Sequence, residues 1–264
     1  MYRTSRLGGS DSRAIAFVAV PQRWTIGDFG WVIVLGIVAS LAVTLIALAL
    51  TGTETPTAAQ VFTLLLPAQL AGSLLALSWV RSKRGYGSFR EAYGLGVRGR
   101  DLRFLALGAL LNVGLSLLFL PVARAIGVEE SPQQVVQIVE DLQGTGLILV
   151  AALVTAVAVP IVEELTYRGL LLRLVAQRTN TGGAIVVSSI IFALIHLLTL
   201  ENFDRDTLLV AMAVAIPELF ILGIVMARMT FRSQILGPAI MTHAGYNLLS
   251  FVALVAAPTL IESL

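Results

Sequence analysis

This chain of 264 residues has no cysteine and few charged residues. Both shortages limit which kinds of chemistry and which classes of protein are compatible with the sequence. Without cysteine it cannot form disulfides, thiolate metal sites or a cysteine nucleophile, so carboxylates, imidazoles, hydroxyls and amides remain as its chemistry. The formal net charge of +2 is too small to indicate nucleic-acid binding. Hydrophobic residues make up 57% of the chain, and the mean hydropathy is +0.88. So much apolar surface cannot be buried inside one small domain, which predicts an integral membrane protein surrounded by lipid.

Long apolar runs predict an all-α fold: a polytopic membrane helix bundle of about seven transmembrane helices with a candidate short interfacial helix. A spanning helix needs about 20 apolar residues. Seven segments approach that length, at residues 30–50, 59–80, 104–123, 145–162, 183–200, 207–229 and 235–256. A shorter apolar run at 169–176 is predicted to extend the fourth helix. We divide the chain into a cytosolic tail at 1–27 and a membrane domain at 28–264, with a catalytic core at about 145–251.

Basic residues predict the orientation of the bundle, because they stay on the cytosolic side in short loops. With a cytosolic N-terminus and an extracytoplasmic C-terminus, all 18 basic residues except Arg124 and Arg205 fall on the cytosolic side. This assignment places Arg168 and Arg173 in a cytosolic segment after the fourth helix. Every basic residue except Lys83 is arginine, a bias that indicates a GC-rich genome and hence a bacterial cytoplasmic membrane.

Two further groups of residues are interpreted as contacts with the membrane surface. The basic loop at 81–103 is expected to contact anionic lipid and anchor the topology, with substrate docking as the alternative. The aromatic residues Trp24, Trp31 and Tyr2 are expected to lie at the membrane interface.

Three polar motifs interrupt the apolar helices of the C-terminal half, and they contain both histidines of the chain. An ionisable group at the centre of a membrane helix costs roughly 2.5–3.5 kcal/mol and usually serves a function. Residues four apart share a helix face, so Glu164 can pair with Arg168 while Glu163 turns toward another helix. The motifs are Glu163-Glu164-x-x-x-Arg168, Phe192-x-x-x-His196 and His243-x-x-x-Asn247.

The fourth, fifth and seventh helices therefore each carry a polar stripe, and we expect the stripes to converge on one water-filled cavity near the cytosolic leaflet. Glu163 is the candidate general base, because a carboxylate can take a proton from water and return it to the leaving amine. His243 and Asn247, or His196, can stabilise the oxyanion on the scissile carbonyl. Alternatively, Glu163, His196 and His243 can hold a zinc ion whose bound water attacks. The residues leave both mechanisms open.

Other residues complete the expected site. Counting 1.5 Å per residue from residue 183 puts His196 roughly 20 Å along its helix. Because arginines closely follow Glu163, that glutamate is expected near the cytosolic side, so the fifth helix must be tilted or recessed.

Glu218 either lines the cavity, gates substrate or forms a hydrogen bond at a proline kink. Tyr167, four residues after Glu163, could orient its carboxylate.

In this order and spacing, the motifs resemble those of the CAAX prenyl protease and bacteriocin-processing (CPBP) family of intramembrane proteases, also called the Abi family. The resemblance implies a CPBP-type endopeptidase with Glu163 as catalytic base. It extends structural, assisting or catalytic roles to Glu164, Arg168, His196, His243 and Asn247. Family members are usually described as metal-dependent, which makes zinc the candidate cofactor, although a metal-free water activated by glutamate is also proposed. Eukaryotic members remove the last three residues of prenylated CAAX proteins, whereas many bacterial relatives have other substrates.

The sequence thus favours an intramembrane endopeptidase that acts on an unidentified membrane-associated protein or peptide. A transporter or channel that uses the intramembrane Glu and His groups to bind protons or cations is the alternative. It is disfavoured because no inverted repeat is evident and the polar groups are concentrated in the C-terminal half. A third hypothesis is a membrane scaffold without catalysis, which would tolerate substitution of Glu163.

Overall fold

The computed structural model describes residues 24–127, 142, 146–200 and 203–262. In these ranges the chain forms helices and no strand, and seven helices are long and apolar enough to cross a membrane. The protein is therefore an integral membrane protein with an all-α polytopic fold, as the sequence predicts. The spans are α1 (Ile26–Thr51), α2 (Ala58–Lys83), α3 (Gly99–Ala125), α4 (Leu147–Ala176), α5 (Thr181–Leu198), α6 (Arg205–Ser233) and α7 (Gly237–Ala256).

Prolines shape three of these helices. In each case a π-helical stretch of five residues ends two residues before the proline. Proline lacks an N–H and its ring clashes with the carbonyl four residues earlier, so a widened turn at that point relieves both problems. The pairs are Val61–Leu65 before Pro67, Val154–Ala158 before Pro160 and Ala211–Ala215 before Pro217. A further π-helical stretch, Leu165–Leu171 in α4, precedes no proline.

Helix α4 runs without a break to Ala176, which confirms that the apolar run at 169–176 extends the fourth span. Arg168 and Arg173 consequently lie inside α4, where both are buried. The expectation that these two arginines lie in a segment after the fourth helix is wrong, because each finds polar partners within the bundle. The orientation itself rests on the other basic residues and stays a prediction.

Trp24 belongs to the core and is not an interfacial anchor. It is 1% exposed, and its ring stacks on Tyr86 and Tyr93, with ring centroids 5.2 and 5.4 Å away. Trp31, by contrast, is exposed on the flank of α1. Tyr2 and the predicted tail up to residue 23 lie outside the described residues.

The basic loop between α2 and α3 packs onto one end of the bundle. Within it, the short helix Phe89–Tyr93 ends in a buried tyrosine whose hydroxyl donates to a backbone carbonyl of α2. Burial raises the pKa of this Tyr93 hydroxyl above its ordinary value. Arg84 pairs with Asp28 at the start of α1, and the N–H of Leu236 donates to the Gly94 carbonyl. We call this end, at which α1 begins and α2, α4 and α6 end, the closed end.

Candidate active site

The first motif spans a change of helix type in α4. Glu163 and Glu164 are the last residues of the α-helical piece Val159–Glu164, and the π-helical stretch Leu165–Leu171 begins directly after them. Stretches of this type occur often at functional sites, because they redirect side chains that a regular helix would align. All seven residues of this stretch are buried, so α4 is the central helix of the site.

Glu164 holds two partners inside the bundle. Its Oε1 accepts a hydrogen bond from Arg168 Nη1 at 2.9 Å, which confirms the predicted pair, and lies 3.1 Å from His243 Nδ1. Arg168 also contacts Phe192, whose ring centroid lies 4.1 Å from the guanidinium carbon. Glu164 and Arg168 are 0% and 2% exposed, and a buried charge is tolerated only with such compensation. The pair therefore fixes the position of His243.

His243 points its second ring nitrogen at Glu163. Because the Glu164 carboxylate accepts, Nδ1 of the neutral ring carries the hydrogen and Nε2 is left as an acceptor. Nε2 lies 3.7 Å from Glu163 Oε2, which is beyond direct hydrogen-bond distance. Glu163 Oε2 is buried, so a water molecule that donates a hydrogen to both acceptors would enter after a small movement of the Glu163 side chain.

Glu163 lines a cavity of about 450 Å³ bounded by α1, α2, α4 and α5. Its Oε2 is buried and has no hydrogen-bond partner among the described residues, although the side chain as a whole is 25% exposed and the residue lines this cavity. Tyr167 and His196 line the same cavity. The predicted convergence on one cavity is therefore met by α4 and α5, whereas α7 contacts Glu163 through His243 and does not line the cavity.

His196 begins a short 3₁₀ turn at the end of α5. Its Nδ1 lies 2.8 Å from the Phe192 carbonyl, which can only accept, so Nδ1 carries a hydrogen. A contact with substrate would have to use Nε2. The Phe192 ring lies edge-on to both imidazoles, with centroids 5.1 Å from His196 and 6.0 Å from His243. Phe192 thereby separates the two histidines.

His196 and Glu163 lie at matching depth, which corrects the expectation of a tilted fifth helix. Helix α4 continues through residues 164–176 after Glu163, a rise of about 20 Å. Helix α5 begins at Thr181, so His196 lies about 22 Å from the same closed end. Because α4 extends so far beyond Glu163, no tilt is needed to bring the two residues together.

Asn247 makes a backbone contact. Its Nδ2 donates to the carbonyl of Thr155 at 2.9 Å, within the π-helical stretch that precedes Pro160. This bond links α7 to α4, and Asn247 is not among the residues that line the cavity. The structure thus gives Asn247 a positioning contact, and its role as an oxyanion donor stays a prediction.

The cavity opens on the flank of the bundle and away from the closed end. Ile37 and Leu41 of α1 and Leu198 of α5 line it and are 43%, 54% and 63% exposed. We call this gap between α1 and α5 the lateral opening. The expectation that the cavity lies near the cytosolic leaflet stays a prediction.

Four polar residues of the cavity wall were not predicted. They form two pairs spaced four residues apart, in the middle of α1 and α2. The signal was present in the sequence, since polar residues inside an otherwise apolar span usually face a cavity or another helix. The pairs are Ser40 with Thr44, and Gln69 with Ser73.

The expectation for Tyr167 is corrected, and one of the alternatives for Glu218 is favoured. No hydrogen bond joins Tyr167 to Glu163 in the described part of the chain; its ring instead packs edge-on against Phe29 and Phe192. Glu218 is not among the cavity-lining residues, and its Oε2 accepts from the Tyr246 hydroxyl at 3.3 Å. This contact agrees with the alternative of a hydrogen-bonded carboxyl group beside a proline.

A zinc site is not assembled among the described residues. No group of three or more His, Cys, Asp or Glu side chains in these ranges is placed to hold a metal ion. The zinc ligand set of Glu163, His196 and His243 therefore stays a prediction, and we derive no step through a metal.

Comparison with known families gives a match in this region. The matching family is Rce1-like, whose description is Type II CAAX prenyl endopeptidase Rce1-like. The match covers residues 145–249. This segment contains all three motifs, and the match confirms the resemblance predicted from them. Neither the curated proteins nor the solved structures gave a match.

Proposed function

Because residues 145–249 are similar to the type II CAAX prenyl endopeptidase family, we propose that this chain is an intramembrane endopeptidase of membrane-associated proteins or peptides. The observation that supports this most directly is the pair of facing acceptors, Glu163 Oε2 and His243 Nε2, 3.7 Å apart beside a cavity within the membrane. In the proposed reaction, a small turn of the Glu163 carboxylate, whose Oε2 is buried, admits one water molecule between these acceptors, next to the peptide carbonyl of a substrate in the cavity.

The proposed reaction begins with this water. It donates its hydrogens to Glu163 and His243, and Glu163 takes one proton as the water oxygen attacks the scissile carbonyl carbon. The carbonyl π bond breaks and gives a tetrahedral oxyanion. When the oxyanion collapses, the C–N bond breaks and Glu163 returns the proton to the leaving amine. The products are a carboxylic acid and an amine, and Glu163 is again a carboxylate.

We assign stabilisation of the oxyanion to His196. Of the proposed donors, it lines the cavity with Glu163, whereas Asn247 donates to the Thr155 carbonyl. Since Nδ1 of His196 is bonded to the Phe192 carbonyl, donation through Nε2 requires the doubly protonated ring. The cationic ring would also attract the developing negative charge.

The lateral opening supports a substrate that arrives from the lipid phase. Its rim is formed by exposed apolar side chains, so a membrane-embedded segment can reach Glu163 without crossing a polar surface. The scissile peptide must be unwound locally, because a helical carbonyl is already hydrogen-bonded within its own segment.

The decisive experiment is Glu163→Gln, tested in proteoliposomes against a library of membrane-inserted peptides. We expect loss of cleavage by at least about a hundredfold with unchanged insertion and folding, because glutamine cannot act as the base. Glu218→Gln is the matched control, since it alters an intramembrane glutamate outside the cavity, and it should retain cleavage. Cleavage retained by Glu163→Gln would reject the base assignment.

Metal dependence is tested separately. Activity that survives chelation and metal-free purification would support water activated by glutamate alone. Activity lost on chelation and restored by zinc would support the predicted ligands Glu163, His196 and His243 instead.

A further inference from the structure

The wall of the cavity that faces α4 carries a carboxamide that nothing in the proposed mechanism uses. Gln69 lies in the middle of α2 and lines the same cavity as Glu163 and His196. An amide at membrane depth is costly if it has no partner, because lipid offers no hydrogen bonds. The question is therefore which group the Gln69 amide binds.

Of the other three polar wall residues on α1 and α2, Ser73 and Thr44 already have hydrogen-bond partners within the bundle. The Ser73 hydroxyl donates to the carbonyl of Val32 at 3.3 Å, which ties α2 to α1. The Thr44 hydroxyl donates to the Ser40 carbonyl at 2.9 Å, within α1. No hydrogen bond joins the Gln69 side chain to any other residue in the described ranges. Of the two polar residues that α2 contributes to this wall, Gln69 is thus the one left open to the cavity.

Close packing of α1 on α2 fixes the stem of Gln69. A Cβ added to Gly36 would collide with Ser73 Oγ and would lie 3.6 Å from Gln69 Cγ. A Cβ added to Gly72 would lie 2.5 Å from the Leu35 carbonyl oxygen. The two glycines let the helix backbones approach, and the Gln69 stem lies close to Gly36 on the wall of the cavity.

We propose that Gln69 is a substrate-binding residue whose carboxamide pairs with a backbone peptide group of the unwound substrate segment. A carboxamide offers one acceptor oxygen and two N–H donors, which complement the N–H and C=O of a peptide unit. An unwound segment in a lipid-bounded cavity has the same unmet need for hydrogen bonds, so pairing satisfies both partners. The inference rests on the proposed endopeptidase function and adds a binding residue from outside the matched segment.

The test uses the full-length protein in proteoliposomes and one peptide that the wild-type protein cleaves from the membrane-peptide library. Gln69→Leu and Gln69→Met should raise KM about tenfold and leave kcat within about twofold, as expected for loss of a hydrogen bond made equally in bound substrate and transition state. Both changes replace a polar group by an apolar one, so insertion should be retained. Thr63→Val is the matched control, because the Thr63 hydroxyl donates to the Ala59 carbonyl of its own helix and does not line the cavity.

The outcomes separate the two proposals. If wild-type protein cleaves the peptide and both Gln69 variants keep the wild-type KM, the Gln69 assignment is overturned and the endopeptidase stands. A fall in kcat alone would also overturn it, since that indicates a disturbed catalytic site. If wild-type protein cleaves no peptide of the library, the proposed function fails and the Gln69 assignment fails with it.

Discussion

The two halves of this bundle differ in what they contribute to the cavity. Helices α4 to α7 contain the three motifs and the segment that matches a family model, and their polar groups bond to one another. Helices α1 and α2 lie outside that segment and are mainly apolar, yet they provide more than half of the residues that line the cavity. One half holds the proposed chemistry, and the other forms the wall that a substrate would contact.

This division indicates which substitutions would change substrate binding and which would change stability or turnover. Substitutions in α4 or α7 disturb a buried network in which each group depends on the next, so they should affect stability or turnover. Substitutions in α1 or α2 alter the surface of a cavity and leave that network intact, so they should affect binding.

The largest expected effect is on stability, and it follows from Arg168. Arg168→Met leaves the buried Glu164 without its cation, which should lower the free energy of unfolding by about 3–5 kcal/mol. Arg84→Met, in the N-terminal half, removes a partner that is 21% exposed, while the buried Asp28 keeps two hydrogen bonds from Thr25, so the loss should be only about 1–2 kcal/mol. Reversible unfolding in mixed micelles, followed by tryptophan fluorescence, measures both.

A double variant tests the cause of the Arg168 effect. Glu164→Gln combined with Arg168→Met removes both charges, so it should recover part of the stability lost in the single variant. Equal losses for Arg84→Met and Arg168→Met would contradict the contrast between the two halves.

The next largest effect is on turnover. His196→Leu should lower kcat about 10²–10³-fold with little change in KM, as expected for loss of an oxyanion donor. Asn247→Leu removes the bond to the Thr155 carbonyl and should cost about 1 kcal/mol of stability with a smaller loss of kcat. Steady-state kinetics on one cleaved peptide compare the two variants. A larger fall in kcat for Asn247→Leu would move the oxyanion assignment from His196 to Asn247.

The sequence predicted those features that depend on distance along one helix. Span number follows from apolar length, and the pairing of Glu164 with Arg168 follows from a spacing of four residues. The three motifs also identified Glu163, His196 and His243 as polar groups too costly to face lipid. Each of these inferences uses only local geometry and the energy of burial.

The features that sequence reasoning missed depend on contacts between helices. A membrane helix is apolar on most of its surface, because lipid and protein interior are equally apolar, so apolar residues do not identify the face of α1 or α2 that turns inward. Only the polar pairs of these helices indicate that face. That face is set by close approach at Gly36 and Gly72. Trp24 was misjudged for the same reason, since its partners Tyr86 and Tyr93 are more than 60 residues away in sequence.

The smallest expected effect tests the part of the cavity wall that α1 forms. This wall contains none of the site residues predicted from the sequence. Leu41→Trp adds bulk at the rim of the lateral opening and should raise KM about tenfold with kcat and stability unchanged, because the catalytic groups on α4, α5 and α7 are untouched. Leu45→Trp is the matched control: Leu45 lies one turn further along α1, is 60% exposed and does not line the cavity. A difference between the two tryptophans would show that substrate passes between α1 and α5. If both variants matched the wild type, the substrate would have to reach Glu163 by another route, and the N-terminal helices would serve only as packing.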